Sequence, residues 1–248
     1  MKSYPAIIDW ENLQKHSEKF KKSKPFKYAY IENFLVKDFY EKLRQSYPKV
    51  DDTWKFQNAV ASHQYSRVYY HNPKSKKMDI TGYENDPLLS NEWKTFYQYL
   101  SSDEFIENFR KFSGLNVTNT KYAGFLAYKK GGYHMPHIHN NGANCLLILF
   151  YFNKDWPKGE GGGTYVATED DESTLIFEPS NLDNTMMCFE DGPQSAHGVR
   201  YITKDLVRQG FHLEIQNYST KEGWSGSGEK GYKNFIATLK DKGRKKRK

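Results

Sequence analysis

Cysteine is nearly absent from this chain of 248 residues: there are two, Cys145 and Cys188. Two is too few for a disulfide framework, and each sits inside an apolar run, where a thiol behaves as a small buried hydrophobe. A reducing compartment is the simpler expectation. Long apolar runs are also missing: no segment reaches the roughly 18 residues that a membrane-spanning helix requires. The first twenty residues (MKSYPAIIDWENLQKHSEKF) hold no uninterrupted apolar core of the kind that directs secretion. A cytoplasmic protein without a membrane partner is therefore expected. Surplus charge is confined to one place. The formal net charge is +7, yet residues 240–248 (KDKGRKKRK) carry seven basic groups and one acid, which leaves about +1 for everything before them. No basic groove is implied, so nucleic acid is not an expected partner, and the tail reads as a solvated terminus.

Aromatic residues are plentiful instead. Nineteen Tyr and sixteen Phe favour a sheet-rich protein over a helical bundle, and the length suits one substantial core. Residues 10–23 are polar and lysine-rich, and read as a surface helix or irregular arm. Residues 26–31 read as a strand. Val36, Phe39, Tyr40 and Leu43 then fall at the spacing of an amphipathic helix that ends near Pro48. Residues 65–70 look like a strand among long loops. Leu89, Trp93, Phe96 and Leu100 make a second helical stripe. Phe105, Ile106, Phe109 and Phe112 make a third, closed by Gly114.

After Gly114 the texture changes to short apolar segments separated by turn residues. Strands are expected over 120–128, 133–139, 144–153, 163–168, 173–178, 185–190, 197–203 and 208–218. Eight short strands at this spacing suggest a jelly roll braced by the helices before it, a mainly β (α+β) fold. The expected organisation is a single domain over 1–239: helical support 1–115, jelly-roll core 116–220 and a C-terminal extension 221–239. Residues 223–228 read as a loop and about 232–240 as a last helix, with the basic tail 240–248 after it.

The densest chemistry lies in Tyr133-His134-Met135-Pro136-His137-Ile138-His139, with His197 58 positions after His139 and Arg208 eleven further on. On an extended strand side chains alternate faces, so His137 and His139 project the same way, and a third imidazole from a distant strand completes a three-cornered metal site. Three neutral nitrogens on one side of an ion leave the other side open to substrates. Iron fits this pattern, and so do zinc, nickel and copper. His134 falls in the opposite register and reads as a loop histidine. Asp155 and Glu160 are loop carboxylates outside the expected position. His212, four residues past Arg208, shares its face and belongs either to a pocket or to a core.

These residues carry a resemblance. In order, they are Tyr128-Lys129-Lys130-Gly131-Gly132-Tyr133 before His137; the run 147–156 (LILFYFNKDW); Gly161-Gly162-Gly163; Glu178-Pro179; Met187-Cys188-Phe189; Ser195-Ala196-His197-Gly198-Val199; and Arg208. Over about a hundred residues the chain resembles the double-stranded β-helix core of the iron(II)/2-oxoglutarate-dependent oxygenases, and especially their prolyl-hydroxylase branch. The earlier Ile31-Glu32-Asn33-Phe34-Leu35, with its helix, is similar to the N-terminal support of such enzymes. The resemblance implies Fe(II) held by His137 and His197, with His139 where the family has a carboxylate ligand. It implies that Arg208 binds the far carboxylate of 2-oxoglutarate, that Tyr151 donates a hydroxyl to the same group, and that Tyr128 reaches the substrate or cosubstrate. It further implies hydroxylation of a prolyl residue, an amino acid or a small metabolite, with ascorbate as reductant. The substrate is thus small-molecule or peptidyl, and residues 65–71 and 129–135 are expected to form the mouth.

His139 is the departure. Exchanging a carboxylate for a neutral imidazole makes the site one unit more positive and removes a hard oxygen donor. Two alternatives to the oxygenase stay open here: a non-catalytic metal- or ligand-binding jelly roll, and a three-histidine dioxygenase that does not use 2-oxoglutarate.

Overall fold

The computed structural model describes residues 3–69, 81–139, 144–157, 159–192, 194–219 and 223–224. The basic tail, the helix expected over 232–240, and residues 70 and 71 of the expected mouth lie outside the described residues.

The polar segment near the N-terminus is not a surface arm. It forms two short helices, α1 (Trp10–Lys15) and α2 (Ser17–Lys22), whose Leu13 and Phe20 are fully buried. Trp10, Leu13 and Phe20 are the only large apolar side chains of these helices and make a weak periodic signal, yet the buried Leu13 and Phe20 each anchor a helix. Strand β1 (Tyr28–Glu32) and helix α3 (Lys37–Gln45) follow as expected. The region read as loops around one strand is a hairpin, β2 (Lys55–Ala59) with β3 (Ser62–Tyr69). β2 is exposed on both faces, so it has no alternation to betray it. Helix α4 (Asn91–Tyr99) starts on Ser90, which accepts from the Trp93 amide; α5 (Asp103–Ser113) starts on Ser102 in the same way and ends at Gly114 with φ 68°.

All eight strands expected after Gly114 are present: β4 (Asn119–Tyr128), β5 (Tyr133–His137), β6 (Cys145–Phe152), β7 (Tyr165–Ala167), β8 (Leu175–Phe177), β9 (Asp183–Glu190), β10 (Ala196–Val199) and β11 (Arg208–Gln216). Their antiparallel order is β1-β9-β6-β11-β4-β3-β5-β10-β7-β8, with β2 on β3. β3 pairs with β4 along most of its length and with β5 through Ser62 and His63, which joins the two halves of the curled sheet. This is the double-stranded β-helix that the sequence leads one to expect. Beyond it, Tyr218–Ser219 pairs with Gly223–Trp224, the latter within the segment 223–228 expected as a loop.

Strand alternation sorts the central strands β6, β11 and β4 into two faces. Phe125, Ile148, Phe150, Phe211, Leu213 and Ile215 point toward the helices and join one core cluster with Trp93, Phe96 and Phe109. Leu126, Tyr128, Leu147, Leu149 and Tyr151 point the other way, into the space between the sheet halves. Trp93 is central to the helix-side core: its ring centroid lies 4.6 Å from that of Phe125, 5.2 Å from Phe152 and 5.5 Å from Phe211, while its indole N–H donates to the Leu43 carbonyl at 3.0 Å. The opposite face is thereby held still for the site it carries. Trp93→Ala is expected to cost about 3–5 kcal/mol in urea unfolding; a loss under about 1 kcal/mol would show that the aromatic cluster is not what clamps helices to sheet.

Candidate metal centre

The antiparallel register of β5 and β10 places His197 directly across from His137, and β10 is held on its other edge by β7. The strand expected to run to residue 139 ends at His137, so His139 arrives from the chain just beyond it. The three rings still converge. Centroids are 4.3 Å apart for His137 and His197, 4.7 Å for His137 and His139, and 4.8 Å for His139 and His197. One ligand atom from each lies within 4.8 Å of the other two.

Hydrogen bonds fix which nitrogen each ring turns inward. His137 Nδ1 lies 2.9 Å from the Met135 carbonyl and His197 Nδ1 lies 3.1 Å from that of Ser195. A carbonyl oxygen can only accept, so both Nδ1 atoms carry the proton and both Nε2 atoms keep a lone pair for a metal. Burial, reinforced at His137 and His197 by neighbouring imidazoles, drives their pKa values down, to about 4 for His137 and well below the usual range for His197. Neutral imidazoles are what a cation requires. His139 differs. Burial would lower its pKa too, but Asp191, with a further contribution from Glu214, outweighs that and raises it.

His134 is drawn into the site, contrary to the expectation of a loop histidine. The β5–β10 register shifts between the His197 and Val199 pairs, and His134 stacks on His137 at 4.1 Å. Burial and the nearby histidines lower its pKa to about 3. Asp155 is exposed and Glu160 pairs with Lys204 at 2.8 Å, so neither brings a carboxylate to the histidines. The carboxylate that does face them is Asp191, fully buried, with Oδ2 3.5 Å from His139 Nδ1. Its signal in the sequence is slight: an acid before a glycine, six residues ahead of His197.

Arg208 opens β11 and is completely buried between two tyrosines, its Cζ 4.9 Å from the ring centroids of both Tyr128 and Tyr151. Its Nε donates to the Gly162 carbonyl and its Nη2 to Thr164 Oγ1, each at 3.0 Å. Its Nη1 has no hydrogen-bond partner, and no carboxylate pairs with it among the described residues. A buried guanidinium with an idle donor is costly unless an anion meets it. Tyr151 Oη accepts from the Thr164 amide at 2.9 Å and keeps its own hydrogen to donate. Tyr128 is committed elsewhere, donating to Gln64 Oε1 at 2.6 Å.

One cavity of about 270 Å³ is lined by the three histidines and by Tyr128 and Thr164, which touch Arg208. Leu126, Tyr128, Leu149 and Thr164 line it nearest Arg208, with Lys55, Gln57 and Ser66 of the β2–β3 hairpin, where Ser66 pairs with Leu126 and Gln57 meets Gln64 beside Tyr128; His137, His139 and His197 line it too, and Tyr122, His212 and Glu214 lie further along β4 and β11. His212 is therefore a pocket residue. The residues present fit an open metal site beside an anion cradle.

No family model matches this sequence, and no curated protein does. Solved structures do match. A prolyl-4-hydroxylase from Pseudomonas putida aligns with a TM-score of 0.56 at 13% identity, over 83% of this chain and 98% of that one. A prolyl hydroxylase from Trichoplax adhaerens, solved with a hypoxia inducible factor peptide fragment, aligns at 0.57 and 12% identity, over 84% and 88%. An oxidoreductase of the 2OG-Fe(II) oxygenase family from Burkholderia pseudomallei aligns at 0.58 and 8% identity, over 87% and 96%. The chain shares their fold.

Gly198 tests whether the β5–β10 pairing assembles the trio. A Cβ there would stand 2.6 Å from both the His134 carbonyl and the Tyr165 hydroxyl. Gly198→Ala should push the strands apart and weaken Co(II) binding by roughly tenfold or more; wild-type affinity in a calorimetric titration would mean that this pairing does not set the ligand geometry.

Proposed function

We propose that the protein is an iron(II)- and 2-oxoglutarate-dependent dioxygenase that hydroxylates a prolyl residue, an amino acid or a small metabolite, with residues 1–239 working as one oxygenase domain. The observation that carries this reading is the buried, half-satisfied Arg208 behind Tyr128 and Thr164, two residues that line the same cavity as three converging imidazoles. A metal site alone does not call for that arginine, whereas a dianionic cosubstrate does.

His137, His139 and His197 would hold the iron, and Arg208 would take the far carboxylate of 2-oxoglutarate, with Nη1 supplying the missing bond and the Tyr151 hydroxyl and Thr164 completing the cradle. When bound, iron with its cosubstrate supplies oxygen chemistry: 2-oxoglutarate and dioxygen go to succinate and carbon dioxide, and the second oxygen atom enters a C–H bond of the substrate. The chain's own work is positional. The Met135 and Ser195 carbonyls hold two imidazoles in the ligating tautomer. Leu126, Leu149 and Val199 keep the cosubstrate end apolar, which strengthens the charge pairing there. Tyr128 packs on Arg208 and holds the fork in place rather than touching substrate.

The cavity also has polar lining, with Tyr122, His212, Glu214, Gln57 and Lys55. It suits a substrate that presents hydrogen-bonding groups around the target carbon, as an amino acid or peptide backbone does. A non-catalytic binding protein is the second reading, favoured by the imidazole at position 139.

The wild-type protein given Fe(II), 2-oxoglutarate and ascorbate should consume oxygen and release succinate. Arg208→Lys keeps the charge but loses the fork, and should raise the Kd for 2-oxoglutarate at least about tenfold while leaving Co(II) affinity unchanged. Absence of succinate from metal-loaded wild type would favour the binding protein; full turnover in Arg208→Lys without added 2-oxoglutarate would favour the cosubstrate-independent dioxygenase.

A further inference from the structure

The three imidazoles are not supported alike. Met135 and Ser195 offer neutral carbonyls to His137 and His197, whereas the Nδ1 of His139 faces a carboxylate, Asp191 Oδ2 at 3.5 Å. This is ion-pair distance rather than a formed hydrogen bond, and His139 Nδ1 has no hydrogen-bond acceptor among the described residues. Asp191 is fully buried, and its other carboxylate oxygen, Oδ1, lies 3.5 Å from Ser195 Oγ.

The turn that carries Asp191 is tightly built. The Asp191 amide donates to the Cys145 carbonyl at 2.9 Å, Gly192 N donates to Ser195 Oγ at 2.7 Å, and Ser195 N returns to the Gly192 carbonyl at 3.2 Å. The same turn presents Ser195 O to His197. A single connection between β9 and β10 thus backs two of the three rings, one with a carbonyl and one with a charge.

The charge count around the site is informative. Beside the trio lie two buried carboxylates, Asp191 and Glu214, and one ammonium, Lys121, which pairs with Glu214 at 3.0 Å. His212 lies 3.5 Å from Glu214 and is kept neutral by burial, its pKa lowered to about 4. With the imidazoles neutral, as metal ligation requires, Asp191, Glu214 and Lys121 sum to one net negative charge among the described residues. That is the charge a carboxylate ligand would have carried, moved outward by one imidazole.

We propose that Asp191 is the positioning residue of the metal centre, setting the tautomer and orientation of His139 from behind and returning the negative charge that an imidazole in the ligand position lacks. A carboxylate behind a ligating imidazole accepts its Nδ1–H, directs Nε2 to the metal and makes the ring a stronger donor. This inference rests on the metal-centre reading above, and the experiment separates the two.

Co(II) affinity is measured by anaerobic calorimetry for wild type, Asp191→Asn, His139→Asp and the double variant. Asp191→Asn preserves shape and should weaken binding by about 10- to 100-fold. In the His139→Asp background, where the ligand itself is a carboxylate, the same substitution should cost nothing or improve binding. Equal losses in both backgrounds, or wild-type affinity in Asp191→Asn, would overturn the proposal while leaving the centre standing; no Co(II) binding by wild type would remove the centre itself. A second readout needs no variant. In the Zn(II)-loaded wild-type protein the His139 Nδ1–H resonance should lie downfield of those of His137 and His197, because a carboxylate is the stronger acceptor. A His139 proton coincident with the other two, or exchanging freely with water, would refute it.

Discussion

The pairing of β10 with β5 is the constraint on which the rest depends. Histidine residues sixty positions apart become neighbours only because His197 and His137 are cross-strand partners, and β10 keeps that register because β7 holds its other edge. A one-residue slip would turn every side chain of β10 to the other face. Glycine at 198 permits the approach, since His134 and Tyr165 occupy the space a Cβ would need. The turn before β10 supplies Asp191 and Ser195 at the same stroke. The placement of His197 and the groups behind two of the imidazoles thus come from one short stretch of chain.

The second half of the site belongs to the other sheet half. β11 runs between β4 and β6, so Arg208 pairs with Tyr128 on one side, while Gly210 beside it pairs with Tyr151 on the other. Both rings pack on the guanidinium and leave one donor idle, an arrangement that makes sense only toward an anion. The helices contribute rigidity rather than chemistry. Their aromatic core, centred on Trp93, fixes the outward faces of β4, β6 and β11, and the inward faces inherit that fixity.

Much of this was legible in the sequence where the physics is local. Alternation and turn residues marked the eight strands from β4 to β11, and i, i+3, i+4 spacing marked α3, α4 and α5. His137, His139 and His197 stood out because paired histidines with a distant third make a metal pattern, and the structure brings all three together. Less legible was whatever depends on tertiary contact. α1 and α2 each bury a single apolar side chain, and β2 has two exposed faces, so neither segment shows a period. His134 turns inward through an irregularity in the β5–β10 register that no pattern rule anticipates. Asp191 looks like an ordinary turn acid until the fold lays it behind His139. Tyr128 was expected to reach the substrate or cosubstrate, but its ring packs on Arg208 and its hydroxyl is taken by Gln64, which stands just ahead of the strand expected over 65–70.

X-ray absorption spectroscopy of the Fe(II)-loaded protein probes directly whether three imidazoles hold one cation beside an anion cradle. The prediction is outer-shell scattering from three imidazoles, with added oxygen coordination when 2-oxoglutarate is supplied to the wild-type protein. A spectrum fitted by fewer imidazoles, or one unmoved by 2-oxoglutarate, would contradict it.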